Sequence, residues 1–419
     1  MKAILRYIPF FILVLTWQSI AQWMEFSLTS GGWWITHILM AMLPLSFLVY
    51  YASYPAKCQK APVIFKLLFI LLAASTVYGV FMAEGYQDYQ LMIDKLIAWS
   101  LCLGWFYFQD PANIAYVTRG WCRYAIPLFF VLVAFMQGEA VGRYFAPFAF
   151  LLIFLPYLEK KWKFIVLFAV AFVLVFGALG ARSSVLRFAV SILLAMAIYY
   201  RKIIPNAIIK GTFIAFVVAP VVLLYLGISD QFNVFKIQEE LGWNEYSVRN
   251  SFDKNEQEDL TADTRTFLYV EELESGIKNN YVLFGRSLSR GYDSVIISGM
   301  DWKPGRNERW SSEVRMLNVF NYMGLVGVAI VGLLYIIGAY KAVFRSKSFT
   351  MQIIGLYVAF RWLYGWIEDF DRFDLINLYL WIPIIMCYST RFLNMTDNDF
   401  RVWIHGFFKK TNRKCLTTS

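Results

Sequence analysis

The sequence predicts an all-α fold, a polytopic membrane helix bundle of about twelve transmembrane helices with one long loop that contains short helices of its own. Three observations lead there. Hydrophobic residues make up 59% of the 419 residues and charged residues only 16%, against about 45–50% and 25% in soluble domains. Apolar windows of the length a bilayer requires, about 20 residues, recur along most of the chain. Lysine and arginine collect in alternate connections between these windows, as expected of a multi-span protein with a fixed orientation.

The expected spans lie near 7–24, 35–54, 63–83, 91–108, 122–137, 141–158, 163–181, 185–200, 208–227, 314–338, 351–366 and 372–389. The chain then divides into helices one to nine (1–227), a loop (228–312), helices ten to twelve (313–390) and a basic tail (391–419). The apolar run at the start continues to Met24 without a small-residue cleavage site, so it reads as an uncleaved first helix rather than a secretory signal.

Basic residues fall at Lys2 and Arg6, Lys57 to Lys66, Arg119 and Arg123, Lys160 to Lys163, Arg201 to Lys210, Lys341 to Lys347 and through the tail. The intervening short connections carry Glu25, Glu84, Asp88, Glu368 and Asp369 instead. A positive-inside reading places both termini in the cytoplasm and the long loop outside. The net charge of +10 follows from these segments and calls for membrane lipids, not nucleic acid, as its partner. Phe 38, Tyr 26 and Trp 15 suit helices anchored at both lipid interfaces.

Several chemistries are disfavoured. Only His37 and His405 are present, with no CxxC and no HExxH, so neither a metal nor a cofactor is expected. The loop has no cysteine, and disulfides do not hold it. GALGAR (177–182) and GLVGVAIVG (324–332) read as small residues that allow close helix packing rather than as phosphate loops.

The loop, the longest polar segment of the chain, holds the candidate site together with its neighbours. Arg182 and Arg187 stand at the outer end of span seven, where topology does not favour arginine. They either snorkel to the headgroups or bind an anion through the guanidinium fork. LTADTRTFLYVEELESGIKNN reads as an amphipathic helix opened by Thr261 or Asp263 and closed near Gly276 to Asn280, with Arg265, Tyr269 and Glu272 on one face. Gly285 and Gly291 suggest turns carrying Arg286 and Arg290. Arg306, Arg309, Glu313 and Arg315 arrive at the start of span ten, with Ser311 or Ser312 as its cap and Glu313 in its first turn. Between spans eleven and twelve, Glu368, Asp369, Asp371 and Arg372 form a third patch on the same side.

This layout resembles the bacterial O-antigen polymerase and O-antigen ligase superfamily of lipid-linked glycan transferases. The resemblance covers the twelve-span plan, the long loop before span ten and three short signatures: GARSS (180–184), DTRTFLYVEELESGIKNNYVLFGRS (263–287) and EVRMLNVFNYMGLVG (313–327). Glu313 and Val314 stand where the last signature usually has histidine and asparagine, and the proline expected before the glycine turn is absent. The histidine departure favours the polymerase branch over the ligase branch.

The resemblance implies a metal-independent glycosyltransferase in the bacterial inner membrane, acting on undecaprenyl-diphosphate-linked oligosaccharides, with a flippase and a chain-length regulator as partner proteins. Arg182 and Arg265 would grip the donor diphosphate, and Glu313 would act as base. Arg187, Tyr269, Arg286, Arg290, Arg306, Arg309, Glu368, Asp369 and Arg372 would contact substrate. A transporter of the same lipid-linked glycan is the other class to weigh, but it should show internal symmetry or charges deep within several spans, and neither is read here. A non-catalytic assembly protein using the loop as a docking surface is a third.

Overall fold

The computed structural model describes residues 2–24, 33–176, 182–229, 247–249, 257–259, 265–295 and 306–409. Among them regular structure is almost entirely helical. The strands are short antiparallel pairs, Ser247–Arg249 with Gln257–Asp259 and Tyr292–Asp293 with Glu308–Arg309. Among the described residues seven helices are long and apolar enough to cross a membrane: Ala3–Trp23, Trp33–Ser53, Val63–Met82, Tyr86–Phe108, Pro111–Phe135, Asn206–Gly227 and Arg315–Arg345. Ser184–Tyr199 and Leu375–Tyr388 are shorter apolar helices. The other expected windows hold Gly138–Tyr144 followed by Ala146–Ile153, Lys160–Phe176, and Phe349–Tyr364.

The distribution of apolar side chains is that of a membrane-embedded bundle. Every residue of Leu375–Tyr388 is buried, so this helix is the core around which the others pack. Peripheral helices instead turn large side chains outward, among them Val63, Ile70, Phe81, Phe130, Phe164, Val175 and Val221. That much exposed apolar surface is a liability in water and an asset in lipid. Prolines 44, 127, 220 and 383 lie inside helices, a tolerance common in membrane helices.

Local chemistry sets the helix boundaries. Asp110 accepts a hydrogen bond from the Ala112 amide at 2.9 Å, with Pro111 in the first turn. The helix therefore begins well before the expected 122, because Asn113, Thr118 and Arg119 lower the hydropathy of its first half without breaking it. Ser348 and Asp374 cap the two helices that follow them. Thr396 and Asp399 form a capping box that opens Asp397–His405. The basic tail is thus partly a packed element, with Phe400, Ile404 and Phe407 buried; residues 410–419 lie outside the described residues.

The two ends of the bundle differ in charge. Arg391 pairs with Asp110 at 2.9 Å and donates to the Lys57 carbonyl, and Arg201 pairs with Asp397 at 3.2 Å. The lysine- and arginine-rich connections therefore gather at one end. At the other, the loop meets the acidic connections, with Arg290 on Glu84 and Arg306 on Asp88, both at 2.9 Å.

The loop is anchored through a break in the longest helix. Within Arg315–Arg345, Gly324 has φ 65° and ψ −166°, and the segment 282–286 fills the gap this opens. The Leu325 and Val326 amides donate to the Val282 and Leu283 carbonyls at 2.9 and 3.2 Å, and the Arg286 amide donates to the Asn321 carbonyl at 2.7 Å. Backbone groups that the break would strand in an apolar setting, at several kcal/mol each, are satisfied in this way. The fit leaves no room for a side chain. A Cβ at Gly324 would lie 2.3 Å from the Leu283 carbonyl, and one at Gly285, φ 78°, would lie 2.3 Å from the Met323 amide. GLVG is therefore a docking break here, beyond the simple packing motif that its small residues suggest.

Thermal unfolding in detergent checks this junction. Gly324→Ala is expected to lower the midpoint sharply, since a backbone at φ 65° and ψ −166°, which essentially only glycine adopts, alone costs about 1–3 kcal/mol before the clash is counted. Gly211→Ala, with nothing within 4 Å of its Cβ, is expected to leave the midpoint unchanged or slightly raised.

Candidate functional site

Three elements converge at the loop-bearing end. The loop helix Thr266–Lys278 lays Leu268 against Val314 and Leu317, flanked by Phe267 and Tyr269. The Tyr269 hydroxyl donates to the Trp366 carbonyl. The first amides of the long helix, Arg315 and Met316, donate to the carbonyls of Glu368 and Gly365 at 3.3 and 3.1 Å, so the 365–374 turn covers that helix's N-terminus.

Two boundaries differ from expectation. The loop helix begins at Thr266 with Arg265 as its uncapped N-cap; Thr261 and Asp263, expected to open it, lie outside the described residues. The long helix begins at Arg315 after Val314, which leaves Glu313 ahead of the first turn rather than in it. The Ser312 hydroxyl accepts from the amide of the N-cap residue, Val314, at 3.2 Å, ahead of the helix, and the Asn318 side chain clamps Ser312 by accepting from its amide at 2.8 Å and donating to its carbonyl at 2.9 Å.

Arg265 sits between two carboxylates, Glu368 at 3.1 Å and Glu313 at 4.0 Å. Glu313 is 56% exposed and also meets Arg309 at 3.3 Å. Glu368 is only 25% exposed. Burial pushes its carboxyl above the ordinary range, opposed by Arg265 and reinforced by Asp369. Beside it, Asp371 is buried against Arg315 at 2.6 Å, and burial pushes its carboxyl up to about 7 despite that arginine. Arg372 reaches the Gln22 side chain at 2.7 Å. On the loop helix itself, Glu272 is wholly buried, and burial raises its carboxyl well above the ordinary range against the pull of Arg309.

The expected substrate-binding arginines of the loop divide into two groups. Arg286, Arg290 and Arg306 surround the buried Glu308 carboxylate. Arg286 and Arg306 lie 2.9 Å from it, and Arg290 donates to both of its oxygens. Their remaining donors reach Asp293, Glu84 and Asp88. Burial would raise the Glu308 carboxyl, but hydrogen bonds from Arg290 and Arg306 hold it below the ordinary range. This is an internally neutralised cluster that ties the loop to the 84–88 turn. Arg309, with Arg265, faces Glu313 and the 365–374 turn instead.

A second arginine group is buried without such neutralisation. Arg187, 6% exposed, donates to the Gly142 carbonyl at 3.5 Å, and its Nε has no hydrogen-bond partner among the described residues. Arg361, 1% exposed, lies with its guanidinium 3.8 Å from the centre of the Phe370 ring, and its Nε and Nη2 have no such partner either. Arg361 and Arg143 are both close enough to act electrostatically on Arg187. Arg143 stacks 3.9 Å over Trp23 and lies 3.5 Å from Asp374. Arg182 opens the neighbouring helix Arg182–Tyr199; its side chain lies outside what is described.

Sequence reasoning missed Arg361, Arg143, Lys95 and Glu308. Lys95, Arg187 and Arg361 all fall within helices, Lys95 near the middle of Tyr86–Phe108 and the two arginines toward the ends of theirs. An ionisable residue interrupting an apolar window was the available signal for them. For Glu308 there was none, since its partners are brought together only by the fold. No protein-family profile, curated protein or solved structure matches the chain.

Removing the shared carboxylate tests the cluster. Glu308→Gln leaves three guanidiniums crowded without their common partner, and breaking a buried pair this way costs about 3–5 kcal/mol. The expected outcome is a large loss of folded yield and thermal stability. The exposed Glu313→Gln is expected to change neither.

Proposed function

We propose that the protein is a glycosyltransferase that extends undecaprenyl-diphosphate-linked oligosaccharides at the outer face of the bacterial inner membrane, the loop-bearing end of the bundle facing outward. The observation that carries this reading is the buried Arg187 and Arg361 pair. Two like charges removed from water without a carboxylate partner among the described residues cost several kcal/mol each. An anion with several oxygens offsets that cost, and a diphosphate matches the planar donor fork of each guanidinium. A lipid-linked diphosphate also fits a cation site placed inside an apolar bundle near its end.

In this reading an acceptor hydroxyl oxygen attacks the anomeric carbon of the donor sugar. The bond from that carbon to the diphosphate oxygen breaks, and the diphosphate leaves with the electron pair. Arg187 and Arg361, with Arg265 and Arg182 nearby in the chain's outer end, stabilise the charge that grows on it, which is where catalytic electrostatics count most. The hydroxyl proton passes to a carboxylate beside Arg265. Glu368 suits that role better than Glu313, because its burial makes it the stronger base and Glu313 is open to solvent and paired with Arg309. As diphosphate draws Arg265 toward itself, Glu368 becomes more basic still.

A second reading, transport of the same lipid-linked glycan, is favoured by Lys95, Arg187 and Arg361 lying within apolar helices. One assay separates them: lipid-linked repeat units from the cell's own pathway, supplied to the purified protein in proteoliposomes. Wild type is expected to form a ladder of longer lipid-linked glycans, with a rate that climbs with pH through a midpoint above the ordinary carboxylate range. Arg187→Gln and Arg361→Gln should slow it about 10²–10³-fold, as should Arg265→Ala and Arg182→Ala. Glu368→Gln should slow it about 10²-fold or more and abolish the pH rise, whereas Glu313→Gln stays near wild type. Movement of the lipid across the bilayer without elongation would establish transport instead, and transfer only to a carrier-free acceptor would establish a ligase.

A further inference from the structure

Beside the arginine group lies a cavity of about 420 Å³, far larger than one water, whose share of liquid is about 30 Å³. It is walled by the ends of Ala3–Trp23 and Trp33–Ser53, by the helix that carries Asp94 and Lys95, by Arg143 and by residues 371–374. Its volume is that of a small-molecule pocket, which typically spans about 300–1,000 Å³.

The lining does not suit a simple anion. Lys95, Arg143 and Arg372 are balanced by Asp94, Asp371 and Asp374, so the walls have no excess of one sign. Much of this polarity is already paired: His37 contacts Asp94, Arg143 lies against Asp374, and Arg372 donates to Gln22. What remains unpaired is specific. Asp371 Oδ2 and Gln18 Oε1 are buried acceptors with no hydrogen-bond partner among the described residues, and Asp371 is only 4% exposed. Lys95 Nζ, 5.2 Å from the centre of the Tyr322 ring and within electrostatic reach of Asp94, Asp369 and Asp371, is a donor with no hydrogen-bond partner among the described residues.

Two acceptors and one donor, interleaved with Trp23, Trp33 and Phe373, call for a ligand whose groups both give and accept hydrogen bonds around a compact apolar frame. A polyhydroxylated ring has that chemistry, because each hydroxyl donates once and accepts as well. An aliphatic chain would leave the buried acceptors unsatisfied, at a cost.

We propose that this cavity is a saccharide subsite that seats a sugar of the acceptor glycan, with Asp371, Gln18 and Lys95 as its hydroxyl-binding residues. The proposal rests on the transferase reading above and gives the acceptor its place. Arg143 joins the two regions, since it lines the cavity and acts on Arg187. A sugar held here stands next to the diphosphate group's cations. The raised Asp371 carboxyl suits a group that exchanges hydrogen bonds with hydroxyls in either protonation state.

The test uses the full chain in lipid nanodiscs and two probes: repeat-unit oligosaccharide released from its lipid carrier and free of phosphate, and inorganic pyrophosphate. Gln18→Leu and Lys95→Met are the principal variants, since neither breaks an ion pair; Asp371→Asn is a third, and retained pyrophosphate binding certifies the fold of each. The expected result is oligosaccharide binding by wild type that falls about tenfold or more in each variant, with pyrophosphate binding unchanged in them and lost in Arg361→Gln. Equal oligosaccharide affinity in wild type and folded variants, or none in wild type, overturns the subsite. Pyrophosphate that does not bind wild type, while oligosaccharide binding still depends on Gln18 and Lys95, removes the diphosphate reading and leaves the subsite standing.

Discussion

A helix that crosses an apolar medium can be interrupted only where something else satisfies its backbone, and the organisation of the loop-bearing end follows from that constraint. The break at Gly324 frees amide and carbonyl groups in the middle of a long apolar helix. Residues 282–286 supply the missing partners from the loop, and the two positive-φ glycines, 285 and 324, allow backbone to approach backbone. The exchange works in both directions: the helix keeps its hydrogen bonds, and an otherwise polar loop gains a fixed point against the bundle. From that point the chain runs directly into Arg286 and Arg290, so the junction also sets the register of the Glu308 cluster.

Charge is then handled by two opposite strategies within one end of the molecule. Around Glu308, three arginines share a buried carboxylate with further support from Asp88, Glu84 and Asp293. Removing such groups from water is tolerable because each guanidinium meets the shared carboxylate and at least one further acid. Around Arg187 and Arg361 the compensation is incomplete: a carbonyl at the limit of hydrogen-bond distance for one and an aromatic face for the other. A cation over a ring recovers about 2 kcal/mol when desolvated, less than burial costs. The first arrangement carries its own counter-charges, whereas the second has no carboxylate partner among the described residues.

What could be read from the sequence was whatever is local. Apolar windows and the amphipathic loop helix depend on composition and on a period of 3.6, and among the described residues helix lies in those places, with Tyr269 and Glu272 in the loop helix and Arg265 at its N-cap. The fate of each arginine depended on partners far along the chain: Arg306 meets Asp88 across 218 positions and Arg265 meets Glu368 across 103. No periodicity encodes such a pairing. Arg361 is the instructive miss. AFRWLYGW averages to an apolar window, and averaging hides the one residue in it that a bilayer would reject unless it had a task. Gly324 shows the same limit, because its conformation is dictated by a segment roughly forty positions earlier.

Under the proposed function the two strategies are also linked. An enzyme that grips a diphosphate must present unneutralised cations, yet the bundle that carries them must remain folded when no substrate is bound. Placing the structural arginines on dedicated carboxylates releases the loop from any dependence on the ligand, so Arg187 and Arg361 can stay undercompensated without loosening the scaffold that holds them. The 365–374 turn connects the regions. Its backbone covers the N-terminus of the long helix, Phe370 supports both Arg315 and Arg361, Glu368 holds Arg265, and Asp371 lines the neighbouring cavity. A shift of this one turn on ligand binding would therefore reach the proposed diphosphate-binding arginines, the proposed base and the proposed acceptor subsite together, which is the geometry the proposed displacement step between two glycans requires.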